Sequence, residues 1–299
     1  MATLREVRSR ISGIKKTQKI TKAMKMVAAA KLRRSQANVV AARPYARKIG
    51  ELLRHLSAST NVAAEPLLSP RDVKRVALVA VTSDRGLCGA FNSNLLKTAI
   101  NHINTHYPTA KQDGTLTLFC VGRKGIDFFT KRGYAVAAKY IGVYSDLVFG
   151  QGQKIARDLI DGYLKKDFDC VEIVYNEFKS IAQQRIVVER FLPVPSFATA
   201  QAGGKASAKP SGQYIYEPSS AGILRVLVPK HLNFQIWRIL LESNAAEQGA
   251  RMAAMENATE NANELISVLQ LQYNKARQAA ITKELLEVVS GAEALRKAG

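Results

Sequence analysis

Acidic side chains are missing from a long opening stretch of this 299-residue chain: none stands between Glu6 and Glu51, although that stretch carries thirteen Lys and Arg residues. The absence excludes a self-neutralised helix and calls for anionic company. Cysteine is scarce as well. Cys88, Cys120 and Cys170 stand alone at spacings that fit no metal-ligand pattern, which predicts reduced core thiols in a reducing compartment. No apolar run approaches the roughly 18 residues that would span a bilayer. Phosphate-binding motifs are absent too. Gly150-Gln151-Gly152-Gln153-Lys154 has no Ser or Thr after its Lys, and Gly122-Arg123-Lys124-Gly125 lacks the three-glycine dinucleotide pattern. Both read as turns leading into helices.

What is present begins with a helix. From about Thr3 to about Ser57 nearly every residue favours helix, and Pro44 can be absorbed as a kink. At roughly 1.5 Å per residue the rod is on the order of 80 Å long. Its apolar stripe, Leu4, Val7, Ile11, Ile14, Ile20, Met24 and Val27, is a heptad seam with one discontinuity at Thr17 and Gln18. A single compact domain cannot cover such a rod.

The other end of the chain can. From about Leu232 to Leu295 there is no Pro, and helix formers dominate. Small seam residues come first, at Ala245, Ala246, Ala250, Met252, Ala253, Met255, Ala258 and Ala262. Larger ones follow at Leu265, Ile266, Val268, Leu269, Tyr273, Ile281, Leu285, Leu286, Val288 and Val289. The two termini are therefore expected to form one long antiparallel coiled coil, the small residues allowing close approach opposite Ala28 to Ala30.

Between the rods the pattern changes to apolar runs alternating with short helices, the signature of a Rossmann-like α/β domain. Strands are predicted at Arg75 to Thr82, Leu116 to Val121, Tyr134 to Tyr140 and Cys170 to Phe178, with Arg185 to Phe191 as an antiparallel edge. Helices are predicted from near Asn92, at Arg123 to Lys131 and at Gln151 to Lys165. Thr199 to Gln213 has no periodicity and reads as a mobile loop. The expected organisation is a helix over 1–60, an α/β domain over 70–219 containing the 199–213 loop, and a second helix over 220–299. Catalytic chemistry is hard to find. His55, His102, His106 and His231 read as solvated, and Asp84 with Arg85 is the one polar cluster at a strand C-terminal edge. No cofactor or metal is expected.

Several long strings of this chain resemble the gamma subunits of F-type ATP synthases. They are Arg10-Ile11 with the run from Lys15 to Leu32, the segment from Thr82 to Asn92, Ala250 to Met255 with Ala258 to Ala262, Tyr273 to Ala279, and Ile281 to Leu285. The resemblance runs nearly end to end. It implies a noncatalytic rotor, present in one copy, whose coiled coil stands inside a hexamer of alpha and beta subunits while the α/β domain meets the epsilon subunit and the membrane c-ring. It also implies roles. Lys22, Met24 and Lys25 lie at the level of an acidic loop of a catalytic subunit. Arg251, Arg277 and Gln278 resemble residues that hydrogen-bond catalytic subunits, and Asp84 and Arg85, from their place after the first strand, are further candidates for partner binding. Tyr214, Tyr216 and Glu217 match the foot region, and the apolar tip from Leu285 to Leu295 resembles a segment seated in a hydrophobic sleeve.

Chloroplast relatives carry an insert with a regulatory cysteine pair, whereas Thr199 to Gln213 has no Cys, so thiol switching is not expected. The alignment from Met1, without a transit sequence, predicts a bacterial subunit on the cytoplasmic side of the inner membrane. Two other classes fit less well. A nucleic-acid-binding protein would interleave aromatics with the charge, and a nucleotide-dependent enzyme would need the missing phosphate loop.

Overall fold

The computed structural model describes residues 3–59, 65–180, 184–195, 217 and 219–298. Its elements in order are α1 (Leu4–Ser59), β1 (Val76–Val81), α2 (Phe91–His106), β2 (Leu116–Val121), α3 (Arg123–Lys131), β3 (Val136–Tyr140), α4 (Phe149–Leu164), β4 (Cys170–Phe178), β5 (Gln184–Leu192) and α5 (Ser220–Ala298). They form two compact units: Ala28–Arg251, and Met1–Val27 with Met252–Gly299.

In the larger unit the five strands are ordered β3-β2-β1-β4-β5. The first four run parallel, and β5 returns antiparallel to β4 with Val174 opposite Val188. Side chains alternate across a strand, so β1 feeds two cores at once. Val76, Leu78 and Ala80 pack with Leu95, Ala99 and Ile103 of α2 and Phe129 of α3. Ala77, Val79 and Val81 face the opposite side, among Leu159 and Tyr163 of α4, Leu53 and Leu56 of α1, and Leu232 and Ile236 of α5. Burial on both faces explains why these strands read as continuous apolar runs. The parallel sheet with its antiparallel edge agrees with the expected α/β class.

Helix α5 begins at Ser220, about two and a half turns before Pro229, and runs through that proline, whereas the Pro-free stretch of the sequence starts only near Leu232. Leu224, Val228 and Leu232 recur every fourth residue and are buried in the core, so packing carries the helix through the proline. Pro44 lies within α1 in the same way, followed by the buried residues Ile49, Leu53 and Leu56. One of the glycines read as turns marks a close approach. Gly122 has φ +87° and a Cβ there would lie 2.2 Å from the Thr82 carbonyl oxygen, whereas a Cβ on Gly152 would meet the Trp237 backbone at 3.5 Å, an ordinary contact. The histidines are not all solvated. His102 Nε2 lies 2.6 Å from Glu172 Oε2 on β4, and burial, with Arg238 nearby, lowers His231 to about 4. Cys88, Cys120 and Cys170 are free and buried.

In the smaller unit α1 and α5 run antiparallel, fixed by Gln18 with Asn263, Thr21 with Thr259 at 2.7 Å, and Lys25 with Glu256. The α1 seam is continuous, and the expected discontinuity is absent. Leu4, Val7, Ile11, Ile14, Gln18, Thr21 and Lys25 are buried or half-buried in an unbroken alternation of three and four. Polar residues carry the positions where the apolar pattern lapsed, and Ile20 and Val27, assigned to the seam from their hydrophobicity, are exposed. On α5 the inward positions are Met255, Thr259, Ala262, Ile266, Leu269, Tyr273, Ala276 and Ala280, again in heptad spacing. Leu265 and Val268 turn outward, as do Ile281, Leu285, Leu286, Val288 and Val289 beyond the last covered turn.

Candidate partner-binding surfaces

Two clusters gather most of the residues singled out from sequence. The first lies at the C-terminal edge of the sheet, inside the larger unit. Thr82 Oγ1 donates to the Val121 carbonyl at 2.9 Å and accepts the Gly125 amide at 2.8 Å, tying β1 to the start of α3. Two residues on, the Asp84 carboxylate accepts the Arg123 amide at 3.1 Å and the Gly142 amide at 3.2 Å, joining the loops after β2 and β3. A carboxylate accepting backbone amides makes the stronger, charge-assisted kind of bond. Ser83 is held by Asn92 Oδ1, which accepts its amide at 3.0 Å.

Arg251 of α5 completes this cluster. Its Nη1 donates to Glu247 Oε1 at 2.6 Å and its Nη2 to the Gly86 carbonyl at 3.2 Å, with only 12% of the side chain exposed. The fork that sequence reading reserved for a partner is thus engaged within the chain. Burial raises the Glu247 carboxyl, and Arg251 pulls it back down. Between these braces the loop carries Leu87, at φ 62° and 66% exposed, beside exposed Arg85. A bulky residue in the left-handed region is strained and persists only when its surroundings over-determine it. Sequence reading missed both Glu247 and Leu87. The signal for Glu247 was a carboxylate one helical turn before Arg251, whereas nothing in the composition marks a positive φ at Leu87.

In doubly wound sheets ligands enter the crevice where the chain switches faces, here between β1 and β4. That crevice is filled by the protein itself. Cys88, Phe91 and Ala246 form a buried cluster there, with Phe178 and Ala250 against it, and Gln184 Nε2 donates to the Ala246 carbonyl at 3.0 Å. Alanines are what let α5 sit so close. Among the described residues no group of three or more His, Cys, Asp or Glu could hold a metal, and no helix is long and apolar enough to cross a membrane.

The second cluster lies in the smaller unit. Lys22 projects to solvent, Met24 is half-buried beside the seam, and Lys25 is paired with Glu256 at side-chain exposures of 38% and 42%. Exposed pairs of this kind contribute only about 0.2–1 kcal/mol, so Lys25 can exchange one carboxylate for another at little cost. Arg277 and Gln278 are exposed, and neither side chain has a bonded partner among the described residues. Tyr214 and Tyr216 lie outside the described residues, and Glu217 is exposed.

A profile of the family described as ATP synthase matches residues 3–295. The chain is 53% identical over 299 residues to a protein of Chlorobaculum parvum named ATP synthase gamma chain, covering 99% of this chain and 100% of that one. A protein of the same name from Chloroherpeton thalassium is 50% identical over 302 residues, at 99% of both chains. Among solved structures, one chain of the Euglena gracilis mitochondrial ATP synthase, OSCP/F1/c-ring, rotational state 3, superposes with a TM-score of 0.67 at 22% identity, covering 98% of this chain and 94% of that one. A chain of the Tetrahymena thermophila mitochondrial ATP synthase, central stalk/c-ring, gives 0.58 at 24% identity over 80% of this chain and 99% of that one. At those identities the likeness speaks to the fold.

Proposed function

The chain belongs to the ATP synthase gamma family, and on that basis we propose that it is the central rotor shaft of a proton-translocating F-type ATP synthase, turning with the membrane ring and driving the catalytic subunits through their conformational cycle. It has no active site of its own. The filled crevice between β1 and β4 supports that reading, because the place where a doubly wound sheet takes a nucleotide is occupied by Ala246 and Ala250 of the same chain.

The observation that carries the proposal is the antiparallel pairing of α1 and α5 through Gln18 and Asn263, Thr21 and Thr259, and Lys25 and Glu256, with Lys22, Arg277 and Gln278 left outward for others. Alpha and beta subunits are the partners of that pair. Lys22 and Lys25 meet an acidic loop, and Arg277 with Gln278 makes bonds that form at some rotor angles and break at others. Coupling then follows from differential contact with alternative states of the catalytic subunits. Asp84 and Arg251 act behind the surface by bracing the loop that presents Arg85 and Leu87. The c-ring and the epsilon subunit are the partners of the foot around Tyr214, Tyr216 and Glu217. One copy per complex, on the cytoplasmic side of a bacterial inner membrane, completes the reading.

Reconstitution tests it. Alpha and beta subunits mixed with this chain should show cooperative ATP turnover that depends on it, and Arg277→Ala should lower that turnover about tenfold, as loss of one charge-assisted bond implies. If Arg277→Ala lowers only the melting temperature and leaves turnover intact, the contact assignment is wrong. If the unaltered chain makes no difference to the catalytic subunits, the rotor reading itself fails.

A further inference from the structure

Outside the surfaces described above, one polar network stands where helix α5 crosses the antiparallel edge of the sheet. Arg238 of α5 donates through Nη2 to both carboxylate oxygens of Glu189 on β5, at 3.2 and 3.0 Å. Its Nη1 reaches the hydroxyl of Tyr175 on β4 at 3.3 Å and Glu242 Oε1 at 3.2 Å. Glu189 in turn accepts from Gln235 Nε2 at 2.7 Å and from the Tyr175 hydroxyl at 3.0 Å. One guanidinium therefore ties a helix to two strands. Side-chain exposures of 30% and 29% for Arg238 and Glu189 leave the pair only partly wet. Burial opposes the charge on Arg238, but Glu189, Tyr175 and Glu242 together outweigh it and hold the guanidinium protonated.

The surroundings give this network its meaning. Ile236, Ile239 and Leu240 bury the neighbouring face of α5 in the core, and such contacts are non-directional. A helix held by apolar contact alone can shift or rotate by part of a residue at modest cost. A guanidinium whose Nη2 meets both Glu189 oxygens while its Nη1 meets Glu242 and the Tyr175 hydroxyl is oriented by three partners at once, so it constrains rotation and axial position together. Partly buried ion pairs contribute little net stability over apolar residues of similar volume, and their best-attested use is to specify register.

We infer that the Arg238–Glu189 fork, with Tyr175, Gln235 and Glu242 around it, is the pin that holds α5 in register on the sheet under load, and that energy coupling depends on it more than folding does. This rests on the rotor reading, since a register pin matters for coupling only if torque passes between the sheet and α5. Arg238 and Glu189 are positioning residues: neither touches nucleotide or ion.

The test uses assembled ATP synthase in inverted membrane vesicles, comparing Arg238→Lys and the double variant Arg238→Met with Glu189→Leu against the unaltered complex. Subunit content, ATP hydrolysis and ATP-driven proton pumping are measured on the same preparation. The double variant should assemble at normal content and hydrolyse ATP at close to the normal rate, while protons pumped per ATP fall about fivefold, the low end of coupling between sites. Arg238→Lys keeps the charge without the fork and should fall between. An unchanged pumping ratio in the double variant overturns the inference, and so does its failure to assemble, because the pin would then serve the fold. Pumping by a complex assembled without this chain would instead sink the rotor reading.

Discussion

At the scale of single residues, the informative feature is a conflict between local preference and observed conformation. Leu87 holds φ 62° with its side chain 66% exposed, so neither backbone preference nor burial accounts for its presence. The braces around it, Asp84 on two amides and Arg251 on the Gly86 carbonyl, hold the strain in place. Relieving the strain should therefore separate stability from function. Leu87→Gly should raise resistance to urea by about 0.5–1 kcal/mol, because glycine takes positive φ without penalty. Turnover of the reconstituted complex should fall, because the presented apolar side chain is gone. Lower stability for Leu87→Gly would show that Leu87 serves packing and not presentation. Asp84 and Arg251 were legible as important from their strings. Their inward roles were not, because a guanidinium reads the same in sequence whether its acceptors lie in the chain or in a partner.

At the scale of elements, heptad spacing predicted the pairing of the ends, and Lys25 with Glu256 bears that out. The error came from equating seam with hydrophobicity. Gln18 and Thr21 fill inward positions, while Ile20 and Val27 point out at 60% and 56% exposure. The strands were nearly all readable, since a sheet buried on both faces leaves long apolar runs, and β2 and β4 match their predicted spans. Pro229 sits inside α5, before the Pro-free run from Leu232, and its cost is met by tertiary packing that no local pattern records. The polar seam has an energetic consequence. Thr21 and Thr259 share two hydroxyl protons among three contacts, to each other and to the carbonyls of Gln18 and Met255. Replacing both by valine removes the hydroxyls without changing shape, and doing so at paired sites is neutral to stabilising. Thr21→Val with Thr259→Val should leave helicity by circular dichroism unchanged and stability equal or higher by about 1 kcal/mol. A loss of that size would mean the hydroxyl pair stabilises the coil instead of setting its register.

At the scale of the whole molecule, charge decides the response to solution conditions. The formal charge is +20 at pH 7 with four histidines neutral, and among the cations between Glu6 and Glu51 whose side chains are described only Lys25 and Lys48 have ion pairs. Acidification adds positive charge to a chain that already repels itself. His231 works in the same direction. Burial, then Arg238, lowers it from 6.5 to about 4, so between those values the unfolded chain binds a proton that the folded chain refuses. Its contribution is complete above pH 6.5 and is lost as pH falls toward 4, amounting to roughly 3 kcal/mol. Glu242 and Glu247 oppose this. Burial raises both, so their protonated forms favour the fold and their penalty appears as pH rises. Urea titrations from pH 7 to 4 should therefore show falling stability in the native chain and a flatter profile in His231→Gln, with both carboxyls retained in each. Repeating the series near 1 M salt, where screening acts within about 3 Å, should remove the self-repulsion common to both chains and leave the difference between them. Parallel pH profiles for the two chains at high salt would show that His231 is as accessible to protons folded as unfolded, and that the acid sensitivity belongs to net charge alone.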